Sequence, residues 1–224
     1  MKRRVLVSIT LPLTVLLVWV CWIAVSSYVR GPRLVAELKR AGALPFAPAD
    51  LPKARLCALL VVQDPTFYRH QGIGLADGHL GHTTLTQSLG KGLFFDQYSP
   101  GLLHLGKIKL MIAAWGFDRS VPKSTQLRMF LNRAYFGIMD GREILGFPSA
   151  AMTFFGKSLG ALSDQEYFAL LAMLEAPNRY HVLRQREASA ARVRAIERLI
   201  LVARGNGCFE GDMPVPCDPT RGRN

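Results

Sequence analysis

The chain is short of acid, of cysteine and of charge in general. Asp and Glu number 16 against 28 Lys and Arg in 224 residues, a formal net charge of +12. That deficit of acid points to an anionic partner: nucleic acid, lipid head groups or a phosphorylated substrate. Four cysteines are too few for a disulfide-built scaffold, and they lack the close paired spacing of a zinc site. No internal repeat or low-complexity tract is present. Charged residues make up only 20% and hydrophobic ones 50%, which excludes wholesale disorder. Long alternating apolar and polar runs are also missing, so the fold is expected to be mainly α. The length allows one core of ordinary size with at most a small appendage.

The hydrophobicity is unevenly spread. Val5 to Val29 is 25 residues without a charge, enough at about 1.5 Å per residue to cross a bilayer core of about 30 Å. Lys2, Arg3 and Arg4 precede it. Positive charge resists translocation, so the N-terminus is expected in the cytoplasm and the chain after Arg30 on the far side of the membrane. A cleaved signal peptide, with Ala24-Val25-Ser26 as a weak cleavage site, is the competing reading. The first 33 residues hold five basic residues and no acid; the remainder keeps 23 basic against 16 acidic, a net +7. In an exported compartment nucleic acid is not an expected partner, whereas membrane lipids and lipid-linked pyrophosphates are.

Residues 1–30 therefore read as a cytoplasmic stub and transmembrane anchor. Gly31 to Lys53 contains Pro32, Pro45, Pro48 and Pro52, so 31–55 reads as an extended tether, with a short helix over Leu34 to Arg40. Residues 56–204 read as one helical domain and 205–224 as a tail rich in Gly, Pro and Cys. Pro122 suits the first turn of a helix running to about Asn132. Asp140-Gly141-Arg142-Glu143 has capping-box spacing and predicts a helix that Gly156 stops. Ser163-Asp164-Gln165-Glu166 is a second such box, opening a helix to Glu175. Arg186 to Arg204 predicts a basic helix with Ile196, Leu199, Ile200 and Ala203 on one face. In an oxidising compartment Cys208 and Cys217 can close a small loop; two unpaired thiols are the alternative.

Four segments in fixed order carry a resemblance. The first is Gln63-Asp64-Pro65-Thr66-Phe67-Tyr68-Arg69-His70-Gln71-Gly72. The second runs from Gly81-His82-Thr83-Thr84 through Gln87-Ser88 to Lys91-Gly92. The third runs from Lys123 through Leu131-Asn132 to Tyr135-Phe136-Gly137. The fourth joins Gly146 to Ala151, Phe154-Phe155-Gly156-Lys157, Ala169 to Ala172 and Ala176-Pro177-Asn178-Arg179-Tyr180. Together they resemble the peptidoglycan glycosyltransferases, the family 51 enzymes that polymerise lipid II, over about Leu56 to Ile200. The resemblance implies a lysozyme-like, two-lobed, mostly α domain seated on the membrane behind the N-terminal transmembrane helix. It also implies lipid II or a glycan strand as ligand, other cell-wall synthases as partners and a divalent cation as an aid to the leaving group.

The family reaction needs a general base for a sugar hydroxyl and positive charge for a departing lipid pyrophosphate. The family's base is the Glu of its first motif, and that position is Gln63 here. An amide cannot take a proton near neutral pH, though it can hydrogen-bond a sugar. Counting back from Asn132 puts the family's second acid at Leu110. With both acids gone, the resemblance is to a member with impaired or lost catalysis. Ser88 and Gly92 also depart from the family's Gln and Asn, and only eight residues separate Gly72 from Gly81. That shortened stretch implies that part of the jaw gripping the growing glycan is missing.

Asp64, Asp77, Asp118 and Asp96 are candidate substitutes for the base, with capping or surface roles as the plainer alternative. Lys91, Lys107 and Lys123 match basic family positions and are candidates for holding a pyrophosphate as compact point charges, with Lys109 adding charge nearby. A solvated basic face is the alternative. Thr83, Thr84 and Gln87 are candidate sugar or phosphate ligands. Phe67, Phe136, Phe154 and Tyr180 read as core residues and His70 as a structural hydrogen-bonding residue. Leu93-Phe94-Phe95 and Leu102-Leu103, around the turn at Ser99-Pro100-Gly101, read equally as a membrane-dipping segment or a buried hairpin.

Overall fold

The computed structural model describes residues 2–74, 83–95 and 105–205, with side chains described over 12–203. Asp77, Asp96, Leu102-Leu103 and the Cys208/Cys217 pair lie outside the described residues. The fold is mainly α, as expected. The helices are α1 (Lys2–Arg40), α2 (Lys53–Gln63), α3 (Leu85–Phe94), α4 (Leu105–Ser120), α5 (Lys123–Arg133), α6 (Phe147–Phe155), α7 (Asp164–Glu175) and α8 (Arg186–Gly205). A two-stranded antiparallel hairpin, β1 (Tyr135–Met139) and β2 (Arg142–Leu145), stands between α5 and α6.

The apolar run is helical, and α1 does not end where the anchor ends. It continues through Pro32 to Arg40, so the first ten residues of the expected tether are helix. Tertiary packing explains why the Gly31-Pro32 pair does not break it. α1 lies along α4, with Gly116 against Ala24 and Ser27 and Gly31 against Phe117 and Ser120. A Cβ at Gly31 would meet Ser120 Oγ at 2.8 Å. Beyond Pro32, Val35 is buried in the domain core and Leu38 packs against it.

The rest of the expected tether also belongs to the domain. Asn132 on α5 receives the Phe46 amide at Oδ1 (3.0 Å) and donates to the Phe46 carbonyl (2.7 Å). Arg128 donates to the Leu44 carbonyl at 2.6 Å, and Leu44 and Leu51 are buried. Prolines kept this segment from forming one long helix, but two α5 side chains strap it down.

At Gly116 the α1–α4 contact leaves no room for a side chain: a Cβ there would collide with the Ala24 carbonyl oxygen and Ser27 Oγ. Gly116→Val should therefore push α1 off α4 and lower stability by about 1–3 kcal/mol. A thermal melt of the full chain in detergent checks this; an unchanged midpoint would show that the helix contact contributes nothing.

One expected helix is not there. Asp140 and Gly141 both have positive φ, 50° and 74°, and form the turn between β1 and β2, with Met139 paired to Arg142. An Asp-Gly step with two left-handed residues is the tight hairpin turn whose twist matches its strands. That requirement outweighs the capping-box spacing. α6 begins after Gly146 instead, and Gly156 ends it in the left-handed conformation expected of it. The Ser163 box forms as read: Ser163 Oγ accepts the Glu166 amide and Glu166 accepts the Ser163 amide at 2.7 Å. Phe67, Phe136 and Phe154 are buried in the core, and Tyr180 packs against it.

Candidate functional site

Two adjoining cavities of about 670 and 340 Å³ form one cleft, and Gln63, Ser88, Lys91, Phe130 and Leu174 line both. All four resembling segments meet here, through Gln63, Lys91, Tyr135 and Pro177. Gln63 ends α2 and Lys91 lies in the last turn of α3. Thr83 and Thr84 join them at the smaller cavity, and Arg133, Tyr135 and Glu143 line the larger one.

Gln63 points its amide at a helix. Its Nε2 donates to the Leu171 carbonyl on α7 at 3.3 Å. A carboxylate cannot make that bond, so the amide suits its surroundings where an ionised Glu would face a carbonyl oxygen. Leu110, where the spacing puts the family's second acid, does not line the cleft. Leu110 is 2% exposed on α4 and packs beside Gly90, where a Cβ would meet Leu110 Cδ1 at 3.1 Å.

The two described candidate substitute acids, Asp64 and Asp118, are occupied. Asp64 is buried, and its Oδ2 accepts both the Leu85 amide at 2.9 Å and His70 Nε2 at 2.8 Å. His70 Nδ1 accepts the Gly72 amide at 3.0 Å, so the ring proton is on Nε2 and His70 is the structural residue expected. Asp64 thus ties the first motif to the start of α3. Asp118 holds Lys123 Nζ at 2.5 Å and accepts Gln126 Nε2 at 2.9 Å. Gln126 in turn accepts the buried Thr86 hydroxyl at 2.7 Å. Neither Asp64 nor Asp118 lines the cleft.

The same accounting divides the basic and polar candidates. Lys91 lines the cleft, and its ammonium pKa is lowered, first by burial and then by the charge of Lys107. Two cations close enough to repel one another make a place that an anion relieves. Lys123 is turned inward, paired to Asp118 and lying 4.6 Å from the centre of the Phe67 ring; it is not at the cleft. Lys109 does not line the cleft either. Two residues on from Lys107, it lies on the far side of α4 and faces α1, 5.1 Å from the Phe95 ring centre. Thr84 and Gln87 are consumed by a capping box at the start of α3, and the Thr84 hydroxyl donates to the Gly72 carbonyl at 2.8 Å. Thr83 is exposed at the cleft and carries no such duty.

Sequence reasoning missed Glu175, Arg192, Arg133 and Glu143. Glu175 and Arg192, paired at 2.7 Å, wall the smaller cavity. No local signal marks them, because α8 and the hairpin reach the cleft only through the fold. Glu143 and Glu175 are accompanied by Lys91, Arg133 and Arg192. Two carboxylates set among three cations, with Glu175 already paired to Arg192, do not make the oxygen-rich cage in which a protein holds a divalent cation. Among the described residues no group of three or more His, Cys, Asp or Glu is placed to hold a metal ion.

Comparison with known proteins agrees with the geometry. The sequence profile of the transglycosylase family matches residues 33–200, beginning in the last turns of α1. The chain is 30% identical over 165 residues to penicillin-binding protein 1B of Buchnera aphidicola subsp. Acyrthosiphon pisum, covering 66% of this chain and 21% of that protein. It is 31% identical over 159 residues to penicillin-binding protein 1F of Bacillus subtilis, covering 65% and 21%. It is 25% identical over 178 residues to penicillin-binding protein 1A of Escherichia coli, covering 74% and 20%. The chain thus spans about a fifth of the length of these relatives.

Proposed function

Because the chain belongs to the transglycosylase family, the peptidoglycan glycosyltransferases, we propose that it is a membrane-anchored member that binds lipid II or a glycan strand with its polymerase chemistry impaired or lost. It serves cell-wall synthesis as a regulator or scaffold beside active synthases. One observation carries the reading. The cleft keeps the cation, Lys91, but presents at the base position an amide that donates to the Leu171 carbonyl. α1 is the one helix among the described residues long and apolar enough to cross a membrane. Leu13, Leu16, Leu17 and Trp22 on it are exposed, apolar surface that a bilayer would cover. Lys2, Arg3 and Arg4 favour a cytoplasmic N-terminus and place the domain on the outer side.

Loss of a general base costs about 10²–10⁴ in rate. Purified full-length protein given lipid II is expected to bind it and to form no glycan polymer on the timescale of an active family member. Gln63→Glu, which restores a carboxyl group at the cleft, is the variant in which polymer should first become detectable. Robust polymer from the natural protein would overturn the reading.

A second reading, an active polymerase with a displaced acid, is favoured by one fact: Glu143 and Glu175 line the cleft. It requires that Glu143→Ala or Glu175→Ala abolish polymer that the natural protein makes.

A further inference from the structure

A separate cavity of about 350 Å³ lies between α1, the end of α3 and α4. Trp19, Trp22, Ser26 and Arg30 line it from α1. They recur every three to four residues and so share one helix face. Lys109 lines it from α4. The two cations lie against adjacent rings: the Arg30 guanidinium is 5.7 Å from the Phe94 centroid and the Lys109 ammonium 5.1 Å from that of Phe95. Neither has a carboxylate partner among the described residues. A cavity walled by two cations, with no acid among the described residues that line it, suits an anion.

Depth along the anchor says which anion. Gly116 lies against Ala24 and Ser27, and Gly31 against Phe117 and Ser120, so α1 and α4 run side by side in the same direction. Lys109, seven residues before Gly116, is about 10 Å nearer the membrane end of α4. That is the level of Trp19 and Trp22. Indoles on a membrane helix settle at the head-group level. Below them large apolar side chains are exposed, Leu16 and Leu17 on α1 and Leu105 on α4. Lys109 and Arg30 therefore bracket the zone where lipid phosphates lie.

We propose that this crevice is a site for the phosphate of an anionic glycerophospholipid, held between Lys109 and Arg30, with its acyl chains descending past Trp19 and Trp22. The bound lipid joins the anchor helix to the domain. A soluble phosphate carries the same charge but nothing for the indoles to cover. The proposal rests on the membrane-spanning reading of α1 and is independent of whether the cleft is catalytic.

The test uses the full chain in nanodiscs of phosphatidylcholine with or without phosphatidylglycerol, with insertion scored first. Thermal unfolding is then followed, and phospholipid retained after extraction into neutral detergent is read by native mass spectrometry. The natural protein is expected to retain phosphatidylglycerol and to unfold at a higher temperature in its presence. Lys109→Gln should lose at least half of that shift, Arg30→Gln with Lys109→Gln nearly all, and Arg30→Lys with Lys109→Arg should keep it. An equal shift in the Lys109→Gln protein overturns the site. So does equal protection by soluble glycerol phosphate in phosphatidylcholine discs, which would make the ligand a free anion. Failure to insert at all would sink the membrane reading itself, whereas insertion without lipid dependence sinks only this inference.

Discussion

Leu110→Glu is expected to unfold the domain and not to arm it. Counting back from Asn132 puts the family's expected second acid at position 110, so the substitution looks like a repair. The structure argues otherwise. Leu110 is buried in the α3–α4 interface against Gly90 and is absent from the cleft lining. Exchanging it gives up packing worth about 2–5 kcal/mol for a fully buried leucine. A carboxylate left there also bears a desolvation cost of several kcal/mol, or takes up a proton and ceases to be an anion. Lys107, three residues earlier on α4, offers a surface-type pairing of only a few tenths of a kcal/mol. The sum is about 5 kcal/mol or more, against a total stability of about 5–15 kcal/mol for a domain. Urea unfolding of the full chain in detergent should show the midpoint falling sharply or the native baseline gone. Leu110→Met, similar in volume, should stay within about 1.5 kcal/mol of the natural protein. A folded Leu110→Glu protein within about 1 kcal/mol of the parent would mean that the side chain can reach the cleft, and the position would regain its chemical interest.

Asp64→Ala should cost about 3–5 kcal/mol, while Asp64→Asn should cost about 1 kcal/mol. One oxygen, Oδ2, accepts both the Leu85 amide and His70 Nε2. Alanine leaves two buried donors unpaired, each worth about 1–3 kcal/mol. Asparagine can present its carbonyl oxygen to both and loses only the charge assistance. The pair of variants separates two roles. A structural staple tolerates asparagine, whereas a displaced general base is abolished by asparagine and alanine alike. Chemical denaturation gives the first comparison and the lipid II assay the second. Equal destabilisation by the two substitutions would refute the staple.

Legibility differed from element to element. The Ser163 box and the Gly156 stop are local devices, decided within three or four residues, and they form where the sequence places them. The Asp140 box has the same spacing but a different outcome, because Asp-Gly satisfies a hairpin turn and Phe136 and Ile144 bury on the hairpin. At the site, Gln63 and Lys91 were legible because each stands in a motif, and the cleft joins them. Glu175 and Arg192 were not, since only the α7–α8 packing brings them to the same wall.

By itself, the sequence determined that one segment is an apolar helix long enough for a bilayer, that the domain is helical, which family it resembles and that the base position holds an amide. Those are properties of residue type and near spacing, which backbone geometry and solvent act on directly. Only the tertiary structure decided what each polar side chain is free to do. It spent Asp64 on Leu85 and His70, and Asp118 on Lys123. It turned Lys109 toward the anchor and bound the Pro-rich segment to α5. Partners such as Leu85 for Asp64, Thr86 for Gln126 and Phe46 for Asn132 lie tens of residues away in sequence, and the energy of a buried charge depends on its partners more than on its neighbours in the chain.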